Sequence, residues 1–367
     1  MLPVLLFAIS VALRPELASS LNKQGLAAAS EGRFAQAEQF YSQAIAAWRE
    51  LGPAYKVHLA INLTNLGQAR QNTGDWTGAI ECYREAVRLD ASAPAISRLG
   101  GALAAVGQTI EAEPMLRKAL SIQEASHPED PETGFTMNNL ALLYGQAGRW
   151  SEAEPLVQKA VEIFNRATGT DSVETAMLLA NLASVHMQQG RPERAEPLFR
   201  RARITYEKTL GGEHPQLAMV LSQEGLLLLE QNKQTLATAE LKRAVDILRV
   251  STGPESLDTS IAESNLALAY RKANKVNDAA TLLTHALSVQ DRLYTKPSRQ
   301  LAITLTTLAA CRSSQRRYDE AVALYDRAVH MFESASGPSH PDTMHTQSAY
   351  AEALRHARRQ KATLSFH

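Results

Sequence analysis

Sixteen alanines set the pattern of the chain. One series runs through Ala37, Ala79, Ala112, Ala153, Ala195, Ala237, Ala279 and Ala321. A second lies seven residues further on, at Ala44, Ala86, Ala119, Ala160, Ala202, Ala244, Ala286 and Ala328. The step is 42 residues, except for 33 before Ala112 and 41 before Ala153. Four residues after the first alanine stands a larger one: Tyr41, Tyr83, Leu116, Val157, Phe199, Leu241, Leu283 and Tyr325. Twelve residues before it every unit has Gly or Ala, at Gly25, Gly67, Gly100, Ala141, Ala183, Gly225, Ala267 and Ala309. Leucine usually precedes that residue, with Gln24 and Glu224 as exceptions. Small residues recur where helices must touch, and large ones fill the space between, as interior packing density demands.

The breaks recur as well. Gly32, Gly74, Gly107, Gly148 and Gly190 close helical runs, and Asn232 and Asn274 take the same place. These residues accept the left-handed conformation that ends a helix. Arg316 departs from the pattern, so its turn is expected to be strained or shifted. Each unit therefore reads as a helix of about 15–20 residues, a tight turn and a second helix. Pro114, Pro155 and Pro197 fall in the first turn of second helices, where a missing N–H had no intrahelical partner to lose. Pro15, Pro131, Pro215 and Pro341 stand ten residues before the Gly/Ala position and open units. The array is expected to begin near Leu13 and to run to residue 340, with a capping helix over 341–361 and a tail over 362–367.

Composition narrows the picture. Of 367 residues 58 are alanine, and aromatics make up only 6%, which suits closely packed helices. The 38 basic and 38 acidic residues balance, so the footprint of a nucleic-acid binder is missing. Cys82 and Cys311 are too few and too far apart in a repeat array for a disulfide framework; both read as small buried hydrophobes. Met1 to Ala12 is apolar and uncharged, of signal-peptide length but too short to span a bilayer. No basic residue precedes it, so a helix packed on the first unit is the other reading. Cleavage would place the chain outside the cytoplasm, periplasmic or secreted; otherwise it is cytoplasmic. No other stretch could span a membrane.

The run Asn139-Leu-Ala-Leu-Leu-Tyr-Gly-Gln-Ala-Gly-Arg-Trp-Ser-Glu-Ala-Glu-Pro-Leu-Val-Gln-Lys-Ala160 resembles a tetratricopeptide repeat of the kinesin-light-chain kind. So does the linker Leu210-Gly-Gly-Glu-His-Pro215. The 42-residue spacing is that subtype's, and the units around Gly225 and Lys23 fit it least well. The resemblance implies an all-α, right-handed superhelical solenoid of about eight helix pairs with a C-terminal capping helix. It also implies that the first helix of each unit lines a concave surface where peptides bind.

One polar series runs along those first helices: Lys23, Asn65, Arg98, Asn139, Asn181, Gln223, Asn265 and Thr307, continued by Ser348. Asn is a poor helix-interior residue, yet its amide offers both donor and acceptor. The series resembles the asparagine ladders of family members that hold an extended peptide by its main chain. Alternatively, each Asn bonds the neighbouring repeat and stabilises stacking. A basic clamp for acidic C-termini would need more cations than Lys23 and Arg98. His127, His214 and His340 each precede Pro in linkers and read as loop residues, with no metal or other cofactor expected. The acidic residues read as solvated faces. Nucleophile-elbow, zinc-protease, phosphate-loop and dinucleotide motifs are absent, so no enzyme is expected. The expected function is a protein-interaction adaptor whose groove takes an extended segment; the alternative is an assembly scaffold acting through its convex face or ends, self-association included.

Overall fold

The computed structural model describes residues 2–294 and 297–364, with side chains for 14–294, 297–335 and 337–362. Among the described residues there are seventeen α-helices and no strand. The first helices of the eight pairs are α1 (Leu2–Ser30), α3 (Lys56–Asn72), α5 (Ala93–Ala105), α7 (Pro131–Gln146), α9 (Val173–Gln188), α11 (Pro215–Glu230), α13 (Leu257–Lys272) and α15 (Arg299–Ser314). Their second helices are α2 (Phe34–Leu51), α4 (Trp76–Leu89), α6 (Thr109–Ser126), α8 (Trp150–Ala167), α10 (Pro192–Leu210), α12 (Gln234–Ser251), α14 (Val276–Leu293) and α16 (Tyr318–Ser336). The last helix, α17 (Pro341–Leu364), packs on α16. The chain forms an all-α repeat solenoid in two compact units, Met1–Thr170 with α1–α8 and Asp171–His367 with α9–α17. No described helix is long and apolar enough to cross a membrane.

All sixteen framework alanines are completely buried. The larger residue between each pair of alanines is buried too, from Tyr83 and Leu283 at 0% exposure to Tyr325 at 5%. A methyl group at the contact lets two helix axes approach, and the large side chain fills the gap beside it. At Gly67 even a methyl is too much, because a Cβ there would lie 2.6 Å from Cε1 of Tyr83. Cys82 and Cys311 are free and buried, as a small-hydrophobe role requires, and burial pushes both thiols up, away from the reactive thiolate.

Helix ends follow the sequence with one exception. Pro131, Pro215 and Pro341 begin helices, whereas Pro15 lies inside α1. The expected start near Leu13 therefore coincides with no helix end. Met1 and the tail residues 365–367 lie outside the described residues, as do the side chains of the apolar segment up to Leu13. Arg316 has φ of 59°, the value also found at Asn232 and Asn274. The turn is thus in register, and it holds an arginine in a backbone conformation normally reserved for Gly or Asn.

The linkers carry a repeated device. Thr133, Thr259 and Thr343 each send a hydroxyl hydrogen bond, 2.8 Å long, back to a carbonyl six residues earlier, at His127, Gly253 and Gly337. His214 and His340 sit just before helices, and each Nδ1 accepts from a backbone N–H two residues on, at 3.2 Å. Two of the three histidine-proline linkers thus cap the helix that follows, while Asp130 takes that place before α7. The short unit before Ala112 loses residues at several places: α4 has 14 and α5 only 13, where α7 and α8 have 16 and 18.

The two sides of each unit are joined differently. Neighbouring first helices pack on one another, α1 to α3 to α5 to α7 in one unit and α9 to α11 to α13 to α15 in the other. Second helices are bridged by long charged side chains. Arg49 meets Glu85 at 2.7 Å, Arg84 meets Glu111 at 2.8 Å and Lys159 meets Glu124 at 3.0 Å. In the second unit Arg243 meets Glu207 at 2.7 Å, and Arg327 pairs with Asp291.

Candidate functional site

The polar series lies at one phase of the first helices, one residue before the buried leucine position. Those helices touch their neighbours within each unit, so the series steps from helix to helix. The first unit carries Lys23, Asn65, Arg98 and Asn139, and the second Asn181, Gln223, Asn265 and Thr307, followed by Ser348 on α17. Lys23, Gln223 and Ser348 are exposed, and the others are half-buried.

Their side chains divide into two groups. Some are engaged within the fold. Asn65 donates to Oδ1 of Asn22 at 3.0 Å, across from α3 to α1. Arg98 donates to Gln68 at 2.8 Å and pairs with Glu132 at 3.2 Å, linking α5 to both neighbours. The amide of Asn139 packs over Gly101, where an added Cβ would sit 3.0 Å from Nδ2, without a hydrogen bond to another described residue. Thr307 donates to its own helix at the carbonyl of Ile303, 2.8 Å away. By contrast, Lys23, Gln223 and Asn265 have no hydrogen bond or ion pair with another described residue. With Arg98 already paired to a carboxylate, Lys23 alone offers a free cation, which is too little for a clamp on acidic termini.

A second lane escaped the sequence reading. Four residues before the polar positions of α3, α5 and α7, and hence on the same helix face, stand Ile61, Pro94 and Phe135 in the first unit, whereas α1 has Ser19 there. Met177, Met219, Ile261 and Ile303 occupy those places in the second. Ile61 is 49% and Met219 57% exposed, unusual for such side chains. The signal was available as a third phase of the same period. Each first helix from α3 to α15 thus presents an apolar and a polar position side by side.

Two glutamates correct the expectation that acidic residues lie on solvated faces. Glu224 takes the leucine position of α11, is 8% exposed and is held at 2.9 Å by Arg203 of α10. Burial raises its carboxyl above the usual range, against the pull of Arg203. Glu263 of α13 is completely buried. It stands at a phase that reads Leu63, Ile96, Met137, Leu179, Leu221 and Leu305 in other units. Its Oε1 receives Arg249 of α12 at 2.6 Å and its Oε2 faces Nδ1 of His285 on α14, also at 2.6 Å.

A tetratricopeptide repeat model matches residues 16–92, 90–166, 174–249 and 300–366, and a second one matches 138–208. The chain belongs to the tetratricopeptide repeat family. Its 42-residue units are of the kinesin-light-chain-like type. Among solved tetratricopeptide-like structures, the apo quorum sensor NprR from B. thuringiensis has a TM-score of 0.66 at 12% identity, covering 86% of this chain and 87% of that one. Apo RapI gives 0.55 at 13% identity, covering 94% and 99%. BtubC (BKLC) from P. vanneervenii gives 0.50 at 19% identity, covering 64% and 92%. At such identities the likeness is one of fold. No curated protein matches the chain at a significant level.

Proposed function

We propose that this tetratricopeptide repeat chain is a protein-interaction adaptor whose first helices receive an extended segment of a partner protein. The observation that carries this reading is the paired lane of the second unit, in which the exposed Met219 and the half-buried Ile261 stand one turn before Gln223 and Asn265, whose amides have no partner among the described residues of the fold. An exposed Met or Ile gains by burial, about 25 cal/mol for each Å² removed from water. An amide with nothing to bond can satisfy a partner's main chain, donating and accepting regardless of sequence. Adjacent first helices lie about 8–10 Å apart, so an extended chain crossing them, at about 3.3 Å per residue, meets one helix every three residues. The expected ligand therefore repeats an apolar side chain at that spacing.

The test compares Gln223→Ala with Asn265→Ala in one chain against wild type, by affinity capture with quantitative mass spectrometry and then by titration with the captured segment. Binding is expected to fall at least tenfold while the melting temperature stays within about 2 °C, because neither amide bonds within the fold. Unchanged binding, or a large loss of stability, would sink the groove reading. In the first case the scaffold reading, through the second-helix face or the ends, takes its place.

A further inference from the structure

We infer that five charged groups in the second unit form a pH-operated clasp, fastening α12, α13 and α14 together when His285 carries a proton and loosening at the α12–α13 linker when it does not. The inference stands apart from the proposed partner lane and holds whether or not that lane binds anything.

The starting point is a like-charged pair. At most junctions between second helices, the residue twelve after the first framework alanine meets an opposite charge six after the next one: Arg49 with Glu85, Glu124 with Lys159, Glu207 with Arg243 and Asp291 with Arg327. Between α12 and α14 the same two places hold Arg249 and His285, which cannot pair directly when both are charged. Glu263 rises between them from α13, in place of a large apolar residue. It accepts Arg249 through Nε at 3.2 Å and Nη2 at 2.6 Å, and faces His285 Nδ1 at 2.6 Å.

His285 is enclosed on both nitrogens. Its Nε2 lies 3.3 Å from Oε1 of Glu255 in the α12–α13 linker, and the other oxygen of Glu255 pairs with Arg292 of α14. Charges then alternate through Arg249, Glu263, His285, Glu255 and Arg292. From α15 the charged group is Arg312, which lines an open cleft of about 550 Å³ with His285. Arg312 is turned to Glu320 of α16 at 3.3 Å. The cleft also lets water and protons reach the 38% exposed ring.

Only the imidazolium has an N–H on each nitrogen. A neutral ring serves one carboxylate and turns a lone pair on the other. Glu263, fully buried, has the greater need of its donor, so the contact given up is the one to Glu255. Hydrogen bonding to Glu263, against some burial, raises the His285 pKa above the ordinary imidazole value. Because the folded value is the raised one, the extra stability is complete below about 6.5. It is lost as pH climbs through the folded value.

The experiment follows the side chain and the fold in the full-length protein. NMR titration of the imidazole resonances is expected to place His285 above the other histidines, and Glu255→Gln to move it back down. Amide exchange, corrected for its intrinsic pH dependence, is expected to lose at least threefold of its protection over residues 252–257 between pH 6 and pH 8.5. The loss should vanish in His285→Gln. If Gln at 285 fails to fold, the Glu255→Gln chain carries the same reading. An unshifted His285, or equal pH dependence in wild type and both variants, would overturn the clasp.

Discussion

At the scale of single residues, Arg316 shows how far the repeat overrides local preference. A non-glycine residue in the left-handed region carries a cost of about 1–2 kcal/mol. The array imposes that conformation because α15 must end where Gly148 and Asn274 end their helices. The Arg316 side chain has no described partner that would be lost on substitution. Arg316→Gly is therefore expected to stabilise the second unit by about 1 kcal/mol, less the extra unfolded-state entropy of glycine. Thermal melting reads the change, and a decrease would show that the side chain does more than strain the turn. The position was legible in the sequence as a departure from a period. The role of Glu263 was less so. Its phase carries Leu, Ile or Met elsewhere, and that contrast was there to be found. Its partners Arg249 and His285 lie 14 and 22 residues away, on two other helices, and only the packed structure brings them to one point.

At the scale of helices, the distance within a pair is set by what stands opposite the Gly/Ala position. Gly67 lets α3 settle on the ring of Tyr83 in α4, which is completely buried. Since a Cβ would lie 2.6 Å from that ring, Gly67→Ala must push the two helices apart or rotate the tyrosine into an occupied space. A cost of about 1–3 kcal/mol is expected, outweighing the better helix propensity of alanine, worth about 1 kcal/mol. Denaturant unfolding measures the balance, and a stabilised variant would refute the packing argument. Helix pairing, the breaks and the framework alanines were all readable from sequence, because small residues at a contact leave a periodic trace. The engagement of the polar series was not. Whether Asn65 turns to Asn22 or to a ligand depends on how closely α1 approaches α3, and no spacing along one chain records that.

At the scale of the molecule, each unit has one side joined mainly by packed helices, with Arg98–Glu132 as an ion pair among them in the first, and another side bridged by ion pairs. These two kinds of link differ in compliance. Direct packing fails over a fraction of an ångström, whereas Arg49 with Glu85 or Lys159 with Glu124 can lengthen, trade partners or admit water while the helices swing. Each unit should therefore flex as a leaf spring does, hinged along its first helices and damped by breakable ties along its second. The ties are surface charges, with both partners of Arg84 and Glu111 more than 40% exposed, so salt weakens them within a Debye length of about 10 Å at 0.1 M and about 3 Å at 1 M. Raising NaCl from about 0.1 to about 1 M is expected to lower the force needed to extend the protein in optical tweezers, while circular dichroism stays unchanged. A force trace indifferent to salt would place the elasticity in the packed side instead. For an adaptor, such a spring means that a partner too long or too short for the resting spacing is met by bending, at a stiffness the cell's ionic strength sets.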